Sequence, residues 1–415
     1  MIAPSSASVV VVSRGRPAAL CRCLRALTQQ DHPRFEIVVI ADAPGRFALA
    51  EAGFGRIVRQ DAFEEANISA ARNRGLALAA GELVAFIDDD SVAEPTWLSR
   101  LLAPFADARV AAATGHVLGR NGLSLQWGAS WIDALGRSHP LEIDPHEYSL
   151  HEASPGAAVK TEGTNMAFRR ALLAQMGGFD PAYRFYLDET DLNMRQAQAG
   201  QIIAYVPGAQ VHHGFAAGPY RRADRVPRSL FEIGASTAVF LRKHTPAGAQ
   251  PSRTEALRKE QRNRLVRHMV AGAIDPRDVG RLLATFEDGL TEGFARPVTP
   301  LPAIGPPEAA FAPLPGTGPR PGRVLTGWWW QRRRLRAEAR ARAAQGAIVS
   351  VLCFSSGAAY HHVRYHPDGY WEQAGGVFGR SLRTGPLVQV VSPAARRQRE
   401  IARIAATRPV DTMLG

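Results

Sequence analysis

Three consecutive aspartates follow a short apolar run near residue 90 of this 415-residue chain. Residues 83–87 are typical of a buried strand, and Asp88, Asp89 and Asp90 come directly after them. Ligands of open α/β sheets bind at the carboxyl ends of strands, so a binding edge is expected here. Asp88 and Asp90 are two residues apart and can face one cation, and carboxylate oxygens suit Mg²⁺ or Mn²⁺. The alternative is a solvated acidic turn before the next helix.

A second segment with chemical potential lies just upstream, at residues 67–75. Asn67 is a good residue to begin a helix, and Arg72 follows within that helix. Helix N-termini and arginines both favour phosphate groups, so this segment predicts a phosphate contact near the same edge. A capped surface helix with a solvated arginine is the alternative.

A third segment, at residues 188–192, places three carboxylates within four residues. Asp188, Glu189 and Asp191 follow a Gly177-Gly178-Phe179-Asp180 sequence that predicts a turn. One of these carboxylates could act as a general base. Acidic residues at a helix start also favour the helix dipole, which is the structural alternative.

Strand and helix patterns alternate through the first 110 residues, and these elements must position the three segments. Residues 8–13, 35–40 and 83–87 are apolar runs that predict strands, with helices beginning at Pro17, Asn67 and Pro95. This alternation predicts an α/β domain with a mostly parallel sheet that is covered on both faces.

In their order along the chain, these segments resemble the GT-A glycosyltransferases of family two, which are inverting enzymes that use nucleotide-activated sugars. The resemblance runs from about residue 9 to residue 214. It rests on Arg14-Gly15-Arg16-Pro17, Asp42, residues 67–75, Asp88-Asp89-Asp90, Gly177-Gly178-Phe179-Asp180, Asp188-Glu189-Thr190-Asp191-Leu192 and Val211-His212-His213. The fold that it implies is a Rossmann-like GT-A catalytic domain.

The resemblance also implies roles for individual residues. Asp88 and Asp90 match the metal-binding DxD motif, with His213 and, second, His212 as the histidine near the metal. Asp42 would contact the nucleoside. The residues implied in binding the nucleotide sugar are Ser13, Arg14, Asp42, Asn67, Arg72, Asp88, Asp89, Gly163 and Asn165. The implied partners are a nucleotide-diphosphate sugar, a divalent metal (Mn²⁺ or Mg²⁺) and a saccharide, lipid-linked or protein acceptor.

The acidic segment departs from the family pattern in the order of its first two residues. Relatives carry Glu-Asp before the next two positions, and the base is the second residue, which here is Glu189 after Asp188. The base therefore stays open between Glu189, Asp188 and Asp191. Residues 118–165 would line the acceptor site, with Trp127 and Trp131 as aromatic candidates that are otherwise core residues.

Beyond the catalytic domain, predicted over residues 1–218, the composition changes twice. Residues 219–296 predict a helical extension, and residues 297–323 are rich in Pro and Gly and predict a linker. Residues 324–415 are expected to hold a basic helix and a small β-rich unit. The segment from Trp328 to Arg342 could contact an anionic membrane or dock on the protein. His361, His362 and His366 could bind metal, although a structural β-rich unit is the simpler interpretation.

Charge and composition exclude several classes of protein. The 50 basic and 38 acidic residues give a net charge of +12, which favours anionic partners without choosing among them. Three cysteines argue against a disulfide framework, and we read Cys21 and Cys23 as one buried helix face. No apolar run is long enough to span a bilayer, and no signal peptide is predicted. A cytoplasmic protein, with peripheral contact at the inner face of the membrane, is expected.

The sequence thus predicts a metal-dependent inverting glycosyltransferase of surface polysaccharide or glycolipid assembly that transfers a hexosyl or deoxyhexosyl group. The alternatives are a catalytically inactive scaffold of the same fold and a basic protein that binds anions or nucleic acid. No nucleic-acid-binding module is recognisable, so no nucleic-acid partner is expected. A sugar-nucleotide pyrophosphorylase would need a longer Gly-rich loop after the first strand than residues 13–17 provide.

Overall fold

The computed structural model describes residues 5–152, 154 and 156–414. Its helices are α1 Pro17–Leu27, α2 Ala43–Glu51, α3 Ile68–Leu78, α4 Trp97–Leu102, α5 Arg170–Gln175, α6 Asp188–Gln198, α7 Phe231–His244, α8 Gln250–Val270, α9 Pro276–Ala295, α10 Arg332–Ala344 and α11 Pro393–Ala405. Its strands are β1 Ala7–Ser13, β2 Phe35–Ala41, β3 Arg59–Ala62, β4 Leu83–Asp88, β5 Ser91–Ala93, β6 Val110–Leu118, β7 Leu125–Trp127, β8 Ser130–Asp133, β9 Ser138–Pro140, β10 Ser149–His151, β11 Ala157–Val159, β12 Met166–Arg169, β13 Ile202–His213, β14 Gly322–Trp328, β15 Ile348–Ser355, β16 His362–Tyr365, β17 Trp371–Gly376 and β18 Thr412–Leu414.

The N-terminal half folds around one large sheet with the order β10-β13-β6-β12-β4-β1-β2-β3. β1 is parallel to β2 and β4, and β13 is parallel to β6, whereas β12 runs antiparallel between β4 and β6. The strands β1, β2 and β4 are apolar and almost wholly buried because helices cover both faces of the sheet. The predicted α/β fold with a mostly parallel central sheet is confirmed.

The helical extension begins after a loop and consists of α7, α8 and α9. α7 and α9 pack closely because glycines lie at their contact: a Cβ on Gly289 would come within 2.0 Å of the carbonyl oxygen of Phe231. Among the described residues, no helix combines the length and apolarity needed to cross a bilayer.

The Pro- and Gly-rich segment after α9 is packed against the catalytic domain over much of its length. The amide of Ile304 donates to the carbonyl of Ala174, and that of Leu314 donates to the carbonyl of Phe35 at 2.7 Å. Leu314 is buried in the first core of the large sheet. The high Pro and Gly content of this segment predicts a linker. Composition alone does not reveal the backbone hydrogen bonds that hold the segment against the catalytic domain.

The C-terminal unit contains helices as well as the predicted β-strands, so it is a small α/β unit. Its sheet has the order β16-β17-β15-β14-β18, with β14, β15, β17 and β18 parallel and β16 antiparallel to β17. The basic segment is divided: Trp328 ends β14, and α10 begins at Arg332. The alternative of a metal site at His361, His362 and His366 gains no support in the described residues: both ring nitrogens of His361 are engaged, by Gln373 and the carbonyl of Gly376, and the group suited to a metal lies elsewhere.

A buried ion pair fixes the C-terminal unit to the catalytic domain. Arg408 donates through Nε and Nη2 to the two carboxylate oxygens of Glu94, each at 2.7 Å, and both side chains are 3% exposed. The guanidinium carbon also lies 3.8 Å from the ring centroid of Trp371. Burial acts to raise the pKa of Glu94, but Arg408 and His212 lower it to about 2. The two units therefore meet through paired charges and apolar packing.

Substituting Arg408→Ala is expected to lower the free energy of unfolding by about 3–5 kcal/mol, because it leaves the Glu94 carboxylate buried and unpaired. Denaturant unfolding followed by tryptophan fluorescence measures this change. The wild-type contribution is complete above the ordinary pKa of Glu94, 4.5, and is lost as the pH falls towards 2. The control is Arg109→Ala, which removes an exposed pair with Asp107 and is expected to leave the free energy of unfolding close to that of wild type, because solvent screens exposed pairs. Equal effects of the two substitutions would contradict the assigned role of Arg408.

Candidate active site

The carboxyl ends of β4 and β13 meet beside β5 and form the centre of the site. Asp88 ends β4, Asp90 lies in the turn that follows, and His213 ends β13. One ligand atom from each lies within 4.8 Å of the others, and in the part of the chain that the structure describes this is the group suited to a metal ion. Asp88 is partly exposed, whereas Asp90 and His213 are buried. Two carboxylates and one imidazole fit a divalent cation such as Mn²⁺.

The antiparallel register of β13 and β5 decides which of two neighbouring histidines reaches this group. Successive side chains of a strand point to opposite faces, so His213 and His212 diverge. The ring of His212 contacts Oε1 of Glu94 at 2.6 Å and lies 4.7 Å from that of Trp371, between centroids. The structure therefore brings His213 to the carboxylates and leaves His212 at the contact with the C-terminal unit.

His213 is oriented as a metal ligand would be. Its Nδ1 donates to Oε1 of Gln126 at 2.9 Å, and its Nε2 lies 3.5 Å from Oδ1 of Asp90. Ligating histidines commonly donate their other ring N–H in this way, which fixes the tautomer. Burial acts to raise the pKa of Asp90, but His213 and Arg16 lower it below its ordinary value. The carboxylate is thus ionised and available to a cation.

Asp89, the middle aspartate, turns away from this group and braces the end of β1. It accepts from Oγ of Ser13 at 2.7 Å and from Nη1 of Arg16 at 2.8 Å. Burial raises the pKa of Asp89 to about 7, although Arg16 and Ser13 act in the opposite direction. Arg16, which lies 3.4 Å from Asp90 as well, had been noted only as part of the Arg14–Pro17 motif, with no role predicted for it. A possible signal was Pro17, because it begins α1 and so sets the preceding residue at the sheet edge.

Arg72 joins the metal-binding end of β4 to the acidic segment. The guanidinium is 3% exposed; it bonds the carboxylate of Asp188, lies 3.2 Å from Oδ1 of Asp88, and donates to the carbonyl of Gly163 at 3.1 Å. A Cβ on Gly163 would come within 2.9 Å of Nη2 of Arg72, so this close approach requires glycine. Arg72 is engaged by two carboxylates, which favours a positioning role over direct phosphate binding.

The three carboxylates of the acidic segment have different environments. Asp191 is wholly buried and bonded to Arg195 at 2.8 Å and to His244 at 2.9 Å. Asp188 is buried against Arg72, whereas Glu189 is half-buried and beside it. Burial, with the neighbouring Glu189 charge, raises the pKa of Asp188 above its ordinary value, although Arg72 opposes this. Of the three, Glu189 is the carboxylate with the greatest exposure.

The backbone just before the acidic segment is strained, and this strain sets the direction in which α6 begins. Tyr186 and Leu187 have φ values of 74° and 64°, the left-handed region that favours glycine. Such conformations cost on the order of 1–3 kcal/mol each and persist where surrounding structure imposes them. The two residues turn the chain sharply into α6, so that Asp188 projects from its first turn to Arg72, with Glu189 next to it in the same turn.

A cleft lies next to the metal-binding group, with Asp89 in its lining, and its shape and polarity suit a nucleoside. Ser13, Arg14 and Asn67 line it, and the rings of Phe185 and Tyr220 stack beside it with centroids 4.5 Å apart. Its other lining residues include Val12, Ile40, Phe63, Ile68, Ala71 and Arg184. Apolar walls with a few polar groups suit a base and ribose.

Two residues predicted to bind the donor, Asp42 and Asn165, have hydrogen-bond partners within the protein. Asp42 caps α2 by accepting from the amide of Gly45, and it also accepts from that of Gly15 at 2.6 Å, so it shapes the loop after β1 and lies outside the cleft lining. Asn165 is fully buried; its side chain accepts from Nε1 of Trp97 at 2.8 Å and donates to two backbone carbonyls.

The two tryptophan candidates of the acceptor region have separate locations. The ring of Trp127 lies 5.6 Å from that of His213, and Nζ of Lys160 lies 5.8 Å from its centroid. Burial lowers the pKa of Lys160, but Glu162 and Glu189 raise it above its ordinary value. Trp127, one of the predicted aromatic candidates, therefore lies beside the metal-binding group together with Lys160, for which no role was predicted. Trp131 stacks on His139 in the small sheet of β8, β9 and β11.

Comparison with known proteins gives one family match. The family described as "Glycosyltransferase like family 2" matches residues 4–228, which is more than half of the chain. A glucosyl-dolichyl phosphate glucuronosyltransferase of Haloferax volcanii is 25% identical over 225 residues, covering 50% of this chain and 68% of that enzyme. A pre-mycofactocin glycosyltransferase of Mycobacterium tuberculosis is 29% identical over 179 residues, covering 42% of this chain and 35% of the relative.

One solved structure to which this chain is similar is that of a mannosyltransferase from Pyrobaculum calidifontis in complex with GDP-Man and Mn²⁺. It shares 16% sequence identity with a TM-score of 0.42, and the alignment covers 71% of this chain and 88% of the mannosyltransferase.

Proposed function

The chain belongs to glycosyltransferase family 2, and from this premise we propose that it is a metal-dependent, inverting enzyme. The observation that carries this proposal is the convergence of Asp88, Asp90 and His213, with Arg72 linking them to the acidic segment. The donor is a nucleotide-diphosphate sugar carrying a hexosyl or deoxyhexosyl group. The acceptor hydroxyl belongs to a saccharide, lipid-linked or protein acceptor, in surface polysaccharide or glycolipid assembly.

The donor would extend from the cleft beside Asp89 to the group of Asp88, Asp90 and His213. The nucleoside would lie between Asn67 and the stacked rings of Phe185 and Tyr220. Asp88, Asp90 and His213 would hold a divalent ion, which stabilises negative charge on the leaving diphosphate.

Glu189 is proposed as the general base. Its carboxylate would take the proton of the acceptor hydroxyl as that oxygen bonds the anomeric carbon and the bond from this carbon to the diphosphate breaks. One displacement inverts the anomeric centre and needs one base. Asp188, held by Arg72, would position the first turn of α6 rather than act on the substrate.

Release of nucleoside diphosphate tests this proposal without knowledge of the acceptor. The full chain is incubated with a panel of UDP-, GDP-, dTDP- and CDP-sugars, with Mn²⁺ or with EDTA. Slow hydrolysis of one donor, present with Mn²⁺ and absent with EDTA, is the expected result. No release from any donor by folded protein would favour the inactive scaffold or the basic binding protein instead.

We further propose a cytoplasmic protein with peripheral contact to anionic lipid through the segment before α10. Trp329 and Trp330 are 61% and 60% exposed, and Arg333 and Arg334 in the next turn are exposed as well. Aromatic rings and arginines together favour the headgroup region of an anionic membrane. The opposite charges of this surface and of anionic lipid support that occupant.

The double substitution Trp329→Ser/Trp330→Ser is expected to lower binding to vesicles containing anionic lipid by about tenfold or more. The two rings together could lose on the order of 200 Å² of water contact at about 25 cal/mol per Å², so burial of about a third of that area already accounts for a tenfold change. Flotation of vesicles at low salt measures the bound fraction. The control is Phe47→Ser, which removes an aromatic ring that is 69% exposed on α2. Equal loss in both variants, or no binding of wild type, would reject the membrane contact.

A further inference from the structure

A cleft of about 560 Å³ lies between the catalytic domain and the C-terminal unit. One end is formed by Asp90 and His213 of the proposed metal site. The other is formed by Val363, Arg364 and Tyr365 of β16. The cleft thus begins where the donor diphosphate is expected and leads to a unit outside the residues that match the family.

Besides the Asp90 carboxylate at one end, the cleft carries three basic side chains that form no ion pair in the described part of the chain. Arg22 of α1, Arg120 after β6, and Arg364 line it. Within the described residues, none of these three guanidinium groups lies within 4.0 Å of a carboxylate. Arg120 is held by a bond from Nη2 to the carbonyl of Ala223, which keeps it at the rim.

Two arginines lie over the ring of Phe215, which lines the cleft. Phe215 has Arg120 5.4 Å and Arg225 4.9 Å from its ring centroid. Burial, followed by the charges of Arg221 and Arg120, lowers the pKa of Arg225. Like charges brought together in this way repel one another, and a bound anion would relieve the repulsion.

The basic surface continues beyond the cleft. An adjoining hollow shares Arg22, Arg364 and Tyr365 with it and extends to Arg332 and Arg336 of α10. Both of these arginines bond Glu372, Arg332 at 2.6 Å and Arg336 at 2.8 Å. Arginines without acidic partners therefore lie nearest the metal site, and paired ones lie farther away.

We infer that this cleft binds a phosphate or diphosphate group carried by the acceptor. The inference rests on the proposed function and deepens it by naming the acceptor as a phosphate-bearing molecule. Guanidinium groups bind phosphate oxygens through paired hydrogen bonds, and several converging arginines match a doubly or triply charged group better than one carboxylate. The buried pair of Glu94 and Arg408 holds the C-terminal unit in place, so the two sides of the cleft form one site.

Calorimetric titration of the full chain with inorganic pyrophosphate, in EDTA and at low salt, tests the inference. EDTA removes any contribution from a divalent ion. Wild type is expected to bind pyrophosphate, and Arg22→Ala/Arg364→Ala is expected to weaken this binding at least about tenfold, since two charge-assisted contacts are lost. The control is Arg397→Ala, an exposed arginine of α11, which should bind pyrophosphate as wild type does.

Nucleoside diphosphate binding with Mn²⁺, measured on the same variants, separates the two possible sources of the phosphate. Affinity within about twofold of wild type in Arg22→Ala/Arg364→Ala supports an acceptor cleft. A loss of nucleotide affinity as large as that of pyrophosphate would assign the cleft to the donor and overturn the inference. No pyrophosphate binding by a wild type that binds nucleotide would also overturn it. Failure of wild type to bind any nucleotide with Mn²⁺ contradicts the proposed function itself.

Discussion

Asp90→Asn is expected to lower release of nucleoside diphosphate by at least about a thousandfold, on the order of 4 kcal/mol of transition-state stabilisation. Asparagine keeps the shape of the side chain but removes the charge that faces His213 and the proposed cation. The carboxylate is buried, 1% exposed, and its pKa is lowered below the ordinary value, so it is charged at any working pH. Turnover of the most active donor in Mn²⁺ measures the effect.

The neighbouring aspartate supplies a matched control. Asp89→Asn makes the same chemical change one residue away, at a carboxyl that faces Ser13 and Arg16. Because burial raises the pKa of Asp89 to about 7, removing its charge is a smaller change near neutral pH. Its turnover is expected within about tenfold of wild type, which is about 1.4 kcal/mol. Similar losses in both folded variants would contradict the separate roles of the two aspartates.

Glu189→Gln is the second substitution with a large expected effect. Loss of a positioned general base lowers turnover by about 10²- to 10⁴-fold. Binding of nucleoside diphosphate with Mn²⁺ should remain unchanged, because Glu189 lies outside the metal group. The measurements are donor turnover and nucleotide affinity for the same preparation.

The pH profile adds a readout that a structural role would not give. Burial and the charge of Glu189 raise the pKa of Asp188, so this carboxyl retains its proton to a higher pH than an isolated one. Activity of wild type should therefore fall as the pH drops, because protonation of Asp188 weakens its bond to Arg72. In Glu189→Gln the like charge beside Asp188 is absent, so the acidic limb of the residual activity should move to lower pH.

Asp191→Asn provides the contrasting control. Arg195, Lys243 and His244 surround this wholly buried carboxylate, so the variant should lose about 3 kcal/mol or more of stability. The turnover of its folded fraction should stay near wild type. A folded Asp191→Asn as inactive as Glu189→Gln would transfer the base assignment to Asp191.

Local patterns predicted much of the fold and the centre of the site. The strands β1 and β4 are buried because both faces of the sheet are covered. A continuous run of apolar residues is typical of such strands, so both could be predicted from the sequence. Asp88 and Asp90 follow from the position of β4, since a strand end fixes where its next residues lie. The choice between His213 and His212 required the pairing of β13 with β5, which the residue types alone do not encode.

Contacts between residues that are far apart in the sequence could not be predicted from local patterns. Glu94 and Arg408 are 314 residues apart, and nothing near either residue marks the other as its partner. Arg14 and Arg16 are the same residue type, and only the start of α1 places Arg16 against Asp89. Asp42 has the position of a nucleoside contact in the family pattern, but here its carboxylate is bonded to the amides of Gly15 and Gly45.

Metal-dependent nucleotide binding tests the central claim most directly. UDP, GDP, dTDP and CDP are titrated by calorimetry into the full chain, each with Mn²⁺ and each with EDTA. We predict that one nucleotide binds with Mn²⁺, that EDTA abolishes its binding, and that Asp90→Asn does the same. Absence of nucleotide binding by folded wild type, or equal affinity with Mn²⁺ and with EDTA, would contradict a metal-dependent glycosyltransferase site at Asp88, Asp90 and His213.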